Sequence, residues 1–437
     1  MARNLIIVVC FVATILSACT SSNEGNNGID SANHNAIKET EIIKDGEAHV
    51  TETKYDANFN SSKQYIELAG KTDFAVNLAK TVGESKENFI VSPLSMQMAF
   101  AMLANGAEED TYKEITDVIG MNDFDRDQLR EYAKLLLTHF IVGDDAQASD
   151  NTLLISNSIW TKEGIPVYES FYSSTRNFFD AETYTIDFSA DDASKAINEW
   201  VCTATSNKIS NVVERNEIVD LIMLLVNTIY MKATWIEPFY KLQTKTFNNS
   251  NGTKGECNMM CSKRTCQYYA CDDFEVASLK LGRNSYTMNF ILPREGKGTA
   301  TVLNSLSAEK LYKIGKESQS TYLDLMMPKF NIHSDLDMGS VMENLGIHEA
   351  FTASADFGAL SPNQLMVTKV KHNTYIDVTE SGVEAAAASA VELIDTSASP
   401  EANELTPVEF YIDRPFLFTI QDTSTGAVIF VGQIQEL

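Results

Sequence analysis

Apolar positions along the chain fall into helical and extended runs separated by polar stretches. Tyr65 to Lys80 is amphipathic, with Ile66, Leu68, Phe74, Leu78 and Ala79 as its core side, and predicts a first helix. Asn88 to Ala107 opens as a short apolar strand and meets Pro93, which suits the first turn of a helix; Asn105-Gly106 ends it. Leu153 to Trp160 predicts a strand. Leu221 to Tyr230 is nearly continuously apolar and broken only by Asn227. It predicts a strand buried on both faces, where a polar side chain needs a partner.

One stretch carries a conflict between composition and parity. Tyr375 to Thr379 alternates as a strand does, and the chain then passes through Glu380, Ser381 and Gly382 into Ala385, Ala386, Ala387 and Ala388. Four alanines favour a helix. On an extended chain, however, Val383, Ala385, Ala387, Ser389, Val391 and Leu393 share one face, all small or apolar, and Glu384 and Glu392 share the other. Such a segment can enter a sheet with one face buried, and its small side chains let it slide between two strands without overpacking. The parity favours a strand not yet in its sheet.

Composition changes the picture little until the N-terminus is reached. Of 437 residues, 44% are hydrophobic and 22% charged, ordinary values for a soluble globular protein. The length leaves one large or two smaller domains open. A net charge of −26 argues against nucleic acid and anionic membrane surfaces as partners. Arg3 followed by Leu5 to Leu16 has the charged and apolar regions of a secretory signal and is too short to span a bilayer. Its end, Leu16-Ser17-Ala18-Cys19, looks like a bacterial lipoprotein box, in which the chain is cut before the cysteine and the cysteine carries the lipid. The expected product is an exported lipoprotein on the outer membrane or cell surface, the periplasmic face included. Residues 19–62 then read as a lipidated end and flexible tether, and 63–437 as the folded domain.

Besides Cys19 the mature chain keeps Cys202, Cys257, Cys261, Cys266 and Cys271. The last four are spaced C-x3-C-x4-C-x4-C, without the paired C-x2-C of zinc modules, so neither a metal nor another cofactor is expected. Export permits a disulfide, and free buried thiols fit equally.

The hinge-like run Glu380, Ser381, Gly382, Val383, Glu384, Ala385 to Ala388 and Ser389 resembles the reactive-centre-loop hinge of serpins, the serine-protease inhibitor family. Ser381 replaces a family glutamate and Val383 a threonine, and neither puts charge or proline on the inserting face. Other motifs follow in family order. They include Ser92-Pro93-Leu94-Ser95 before a helix, Asn198, Trp200, Val201, Thr205, Lys208 and Ile209, and Asn227 followed by Lys232, Trp235, Pro238 and Phe239. Tyr286 to Pro293, Tyr322 to Ile332, Leu345 to Phe351, Leu365 to Lys371, Pro415 to Phe418 and Ala427 to Gln433 continue the match, which spans about 65 to 435.

The resemblance implies an α+β fold with a large, mainly antiparallel sheet, further sheets, eight or nine helices and an exposed reactive-centre loop. It implies that Ser92, Ser95, Asn227 and His372 form the shutter, a buried hydrogen-bond cluster, and not a nucleophile and base. No G-x-S-x-G context surrounds either serine. It places Trp235, Lys329 and Glu380 at the breach, where the loop first enters the sheet. The implied activity is irreversible trapping of serine endopeptidases, with cysteine endopeptidases as a further class, by a monomeric chain that is not itself an enzyme. The alternative is a non-inhibitory binding or chaperone protein on the same fold, which the alanine run opposes. Counting seventeen residues from Glu380 puts the reactive bond at Thr396-Ser397, with Asp395 as the alternative. A threonine suits an elastase-like or subtilisin-like enzyme.

Overall fold

Two large sheets with helices on their faces account for nearly all of these runs. The computed structural model describes residues 36–44, 73–85, 87–142, 152–282, 285–383 and 406–437. In chain order the strands are β1 Ile37–Lys38, β2 Ile42–Ile43, β3 Phe89–Val91, β4 Thr152–Lys162, β5 Val167–Tyr168, β6 Glu182–Ile186, β7 Met223–Thr234, β8 Lys241–Asn248 and β9 Lys254–Ala270. They continue with β10 Phe274–Leu281, β11 Tyr286–Pro293, β12 Gln319–Pro328, β13 Phe330–Asp337, β14 Lys369–Thr379, β15 Gly382–Val383, β16 Val408–Tyr411, β17 Phe416–Asp422 and β18 Val428–Ile434. The helices are α1 Phe74–Gly83, α2 Pro93–Asn105, α3 Glu109–Val118, α4 Arg126–Val142, α5 Glu169–Phe179, α6 Ala193–Ala204, α7 Arg215–Ile218, α8 Thr299–Ser305, α9 Ala308–Glu317 and α10 Gly339–Leu345. That makes ten among the described residues, α7 being a single turn, where eight or nine were expected.

The expected α+β architecture is present. One sheet has seven strands in the order β1-β6-β4-β7-β15-β14-β13, and the other has nine, from β16 through β12, β9, β10, β11, β17 and β18 to β3, with β8 beside β9. The seven-stranded sheet is mainly antiparallel, as expected, with two parallel pairs. β4 pairs with β6 in parallel, and β7 pairs with β14 in parallel from Leu224↔Lys369 to Ile229↔Thr374. The second of these parallel pairs is the seam that matters below.

Local sequence explains the central pieces. α2 starts at Ser92, whose Oγ accepts the Ser95 N–H at 3.2 Å, and Pro93 stands in the first turn. Every residue from Pro93 to Asn105 is buried, so the helix has no solvent face and runs through the core between the sheets. The helix expected over Tyr65–Lys80 is described from Phe74 and runs on to Gly83, because Val82 and Gly83 continue the buried side begun by Leu78. β7 is buried at nine successive positions from Met223, as its apolar run predicts. The other face of the seven-stranded sheet is covered by α6, whose Ile197 and Val201 pack in one cluster with Trp160, Leu224 and Val226.

One part of the stretch that reads as a tether is docked. Ile37 and Lys38 pair antiparallel with Ile186 and Thr185, Ile42 and Ile43 pair in parallel with Val167 and Tyr168, and Ala36 is fully buried against the sheet edge. Polar composition hid this, because two-residue strands are too short to show a period.

Candidate functional site

The candidate site is the seam between β7 and β14 and the point at its end where β15 is seated. Asn227 of β7 and His372 of β14 are register partners, both with no exposed surface. The main-chain N–H of Ser92 donates to His372 Nε2 at 3.0 Å, so that nitrogen is unprotonated and Nδ1 carries the hydrogen. Nδ1 donates to Asn227 Oδ1 at 2.5 Å. Asn227 Nδ2 then donates to Ser95 Oγ and to Asn157 Oδ1, each at 2.6 Å, and lies 3.1 Å from the Ser95 carbonyl. Burial pushes the His372 imidazole down to about 3. The ring is thus neutral and committed at both nitrogens. The Ser92 hydroxyl meets Ser95 N–H and not the imidazole, so the cluster lacks the serine-to-histidine hydrogen bond of a nucleophile and base.

All four residues read from the sequence therefore meet, and the structure adds a fifth. Asn157 sits opposite Asn227 across the β4–β7 pair. The sequence did not single it out, because Asn157 lies between Ser156 and Ser158 and is no lone polar break in an apolar run. Nearby, Thr374 Oγ1 donates to the Ile90 carbonyl at 2.8 Å and Ile90 N–H donates to Ser334 Oγ at 3.0 Å. These bonds fix β3 beneath β13 and β14.

At the end of the seam, Gly382 and Val383 form β15 between β7 and β14, pairing with Thr234 and Ala233 on one side and with Thr379 and Val378 on the other. Gly382 has φ of +147°, and a Cβ there would lie 2.2 Å from the Ala233 carbonyl oxygen. Only glycine fits this approach. Val383 has no exposed surface, as its parity requires. The turn into β15 hangs on the segment after β7. Trp235 Nε1 donates to the Thr379 carbonyl at 2.8 Å, Trp235 N–H to the Ser381 carbonyl at 3.0 Å, and Phe239 N–H to the Glu380 carbonyl at 2.8 Å.

Lys329 Nζ lies 3.0 Å from Glu380 Oε2, with both side chains partly exposed. The Glu380 carboxyl is held below its usual range, first by its own main-chain N–H and then by Lys329. An exposed pair of this kind adds little stability.

Comparison with known proteins settles the family. Residues 69–437 match the model of the serpin (serine protease inhibitor) family. The chain belongs to the serpins. Iripin-2 of Ixodes ricinus is 28% identical over 83% of this chain and 92% of its own length. Human thyroxine-binding globulin is 30% identical over 83% of this chain and 87% of its own. The crystal structure of the thermophilic serpin tengpin in its native state superposes with a TM-score of 0.76 at 25% identity, covering 92% of this chain and 98% of that one. The serpin family holds inhibitors and binding proteins, with thyroxine-binding globulin among the relatives of this chain.

The remaining predicted residues of this serpin divide cleanly. Glu384, Ala385 to Ala388, Ser389, Asp395, Thr396 and Ser397 lie outside the described residues, as does Cys19. The Cys202 thiol donates to Asn207 Oδ1 at 3.3 Å, and Cys257, Cys261, Cys266 and Cys271 form no disulfide among the described residues. Burial raises the thiols of Cys257 and Cys261, and raises Cys266 to about 11. Along extended β9, Cys257 and Cys261 face one side and Cys266 the other. Strand parity thus separates the thiols that the linear spacing groups together.

Proposed function

We propose that this serpin is an irreversible inhibitor of serine endopeptidases, which traps the acyl-enzyme by inserting its cleaved loop between β7 and β14. The observation that carries the reading is β15, two residues already seated as a strand between β7 and β14, above a seam where those two strands pair directly. Carried on one for one, the β15 register sets Ala387 beside Ile229 and Thr374, Ser389 beside Asn227 and His372, and Thr396 level with Asp220. Val383, Ala385, Ala387, Ser389, Val391 and Leu393 then face the core, and the Ser389 hydroxyl arrives within the His372 cluster.

The sequence of events follows from this register. The enzyme attacks the loop and forms its covalent acyl intermediate. Cleavage frees the strand, which parts β7 from β14 and replaces one ladder of hydrogen bonds by two, with apolar burial added at each inward position. The attached enzyme is carried along and distorted. Loss of its oxyanion-hole geometry stalls deacylation. Thr396-Ser397 as the reactive bond fits an elastase-like or subtilisin-like target, Asp395 being the alternative. Cys19 carries the lipid of an exported lipoprotein, and the chain acts as a monomer.

The test is incubation with a panel of serine proteases followed by denaturing gel electrophoresis. A covalent band surviving denaturation supports the reading. Clean loop cleavage by every enzyme in the panel, with no such band, overturns it in favour of a binding protein, as thyroxine-binding globulin is by name.

A further inference from the structure

Resting on the inhibitory and lipid-anchor readings above, we infer that Ala36–Lys44 mounts the domain by the pole of the large sheet opposite the root of the loop. On a bilayer the loop then faces away from the lipid, and a captured endopeptidase is delivered to the bilayer side.

The registers give the polarity. Ile37 pairs with Ile186, Ile186 with Lys162 of β4, and β4 runs antiparallel to β7 with Thr161 opposite Met223. The docked segment therefore joins the sheet at the Met223 end of β7, and Gly382 and Val383 join at the Thr234 and Ala233 end. Eleven residue steps separate the two levels, about 36 Å along the strand. The direction is fixed too. Moving from Ile37 to Lys38 the partner changes from Ile186 to Thr185, which is a step toward the loop's root. Ala36 accordingly stands at the far pole, with the segment running from it toward the loop's root. Its hold there is more than the two-residue ladder: Asp187 N–H donates to the Ala36 carbonyl at 2.9 Å and Val167 N–H to the Glu41 carbonyl at 2.8 Å.

Insertion in the β15 register would bring Thr396 level with Asp220, the same pole. The trapped enzyme and the membrane tether thus compete for one end of the molecule. The sixteen residues from 20 to 35 can reach at most about 55 Å. An endopeptidase of roughly 220 residues is about 45 Å across. The tether accommodates the captured enzyme only near full stretch, so its length becomes a requirement for trapping on a membrane and not in solution.

The experiment compares the lipidated chain with one lacking Glu24 to Asn33, both in vesicles of phosphatidylethanolamine and phosphatidylglycerol, using pancreatic elastase and subtilisin. Soluble Cys19→Ser forms of both lengths serve as controls. Loop cleavage should be as fast on vesicles as in solution. The shortened chain should need at least threefold more inhibitor per enzyme trapped on vesicles and no more in solution. Releasing the docked segment with Ile37→Pro and Ile43→Asp should lengthen the free tether and restore trapping. Slower loop cleavage on vesicles, equal trapping by the shortened chain, or no restoration on release overturns the inference. Failure of the underlying readings has a different signature: soluble forms cleaved but never trapped, or a parent chain that does not enter vesicles. In the second case, an N-terminal hexahistidine on nickel-lipid vesicles, placed before residue 20, tests the mounting pole by the same comparison.

Discussion

His372 Nδ1 and Asn227 Oδ1 meet at 2.5 Å across the seam where β14 and β7 pair directly. The bond is made by a neutral ring, since Nε2 already accepts the Ser92 N–H. Opening the seam therefore separates no ion pair at this point, and the barrier stays that of uncharged hydrogen bonds.

That neutrality predicts acid sensitivity. The imidazole is pushed from 6.5 down to about 3 by burial, so between those pH values the unfolded chain binds a proton that the folded one refuses. Stability is then fully present above about pH 6.5 and falls as pH drops toward 3, by about 1.4 kcal/mol per unit from this group. His372→Gln removes this component, and the stability gap between parent and variant should narrow as pH falls from 7 to 5. Melting curves at the two pH values check it; an unchanged gap contradicts a neutral buried His372. At pH 7 His372→Ala should cost about 1–3 kcal/mol and promote loop–sheet polymers.

Gly382→Ala tests the seat of β15. The added methyl meets the Ala233 carbonyl oxygen and Thr234 Cα, and φ at +147° is itself unfavourable for alanine. The hinge should be displaced from the sheet at a cost of about 1–3 kcal/mol in the uncleaved protein. Thermal melting reads the loss, and titration against a protease should show a higher ratio of inhibitor consumed to enzyme trapped.

Much of this was legible in the sequence for a simple reason. A polar residue inside an apolar strand, such as Asn227, announces a buried partner, and the parity of Val383 to Leu393 announces which face it buries. Asn157, flanked by Ser156 and Ser158, gave no such signal. Other features depend on three-dimensional neighbours that no local pattern encodes. The tautomer of His372 is set by a main-chain N–H from Ser92, 280 residues away. The close approach that demands glycine at 382 is made by β7. The docking of Ile37 and Ile42 depends on two strands, β6 and β5, each more than a hundred residues later.

Cys19→Ser should move the protein from the membrane fraction to the soluble one. A diacyl or triacyl anchor holds stably where a single chain does not, so the shift should be close to complete. Fractionation of expressing cells checks it, and an unchanged distribution removes the lipoprotein reading.

Trapping should depend on how fast the hinge enters the sheet once the loop is cut. Val383 already fills an inward position between Ala233 and Val378, with no exposed surface. An arginine there must be buried without a partner or must hold the strand out, at a penalty of several kcal/mol. Ala387 lies two inward positions further, where the extended register sets it between Ile229 and Thr374. Proline at that point removes a ladder donor in what would be a central strand. Neither change touches Thr396-Ser397, so attack on the loop should be as fast as in the parent. Only the race between insertion and deacylation shifts. Val383→Arg and Ala387→Pro should each be cleaved at the parental bond and leave no lasting complex on a denaturing gel. Covalent complex in parental yield from either variant means that insertion is not the trapping step.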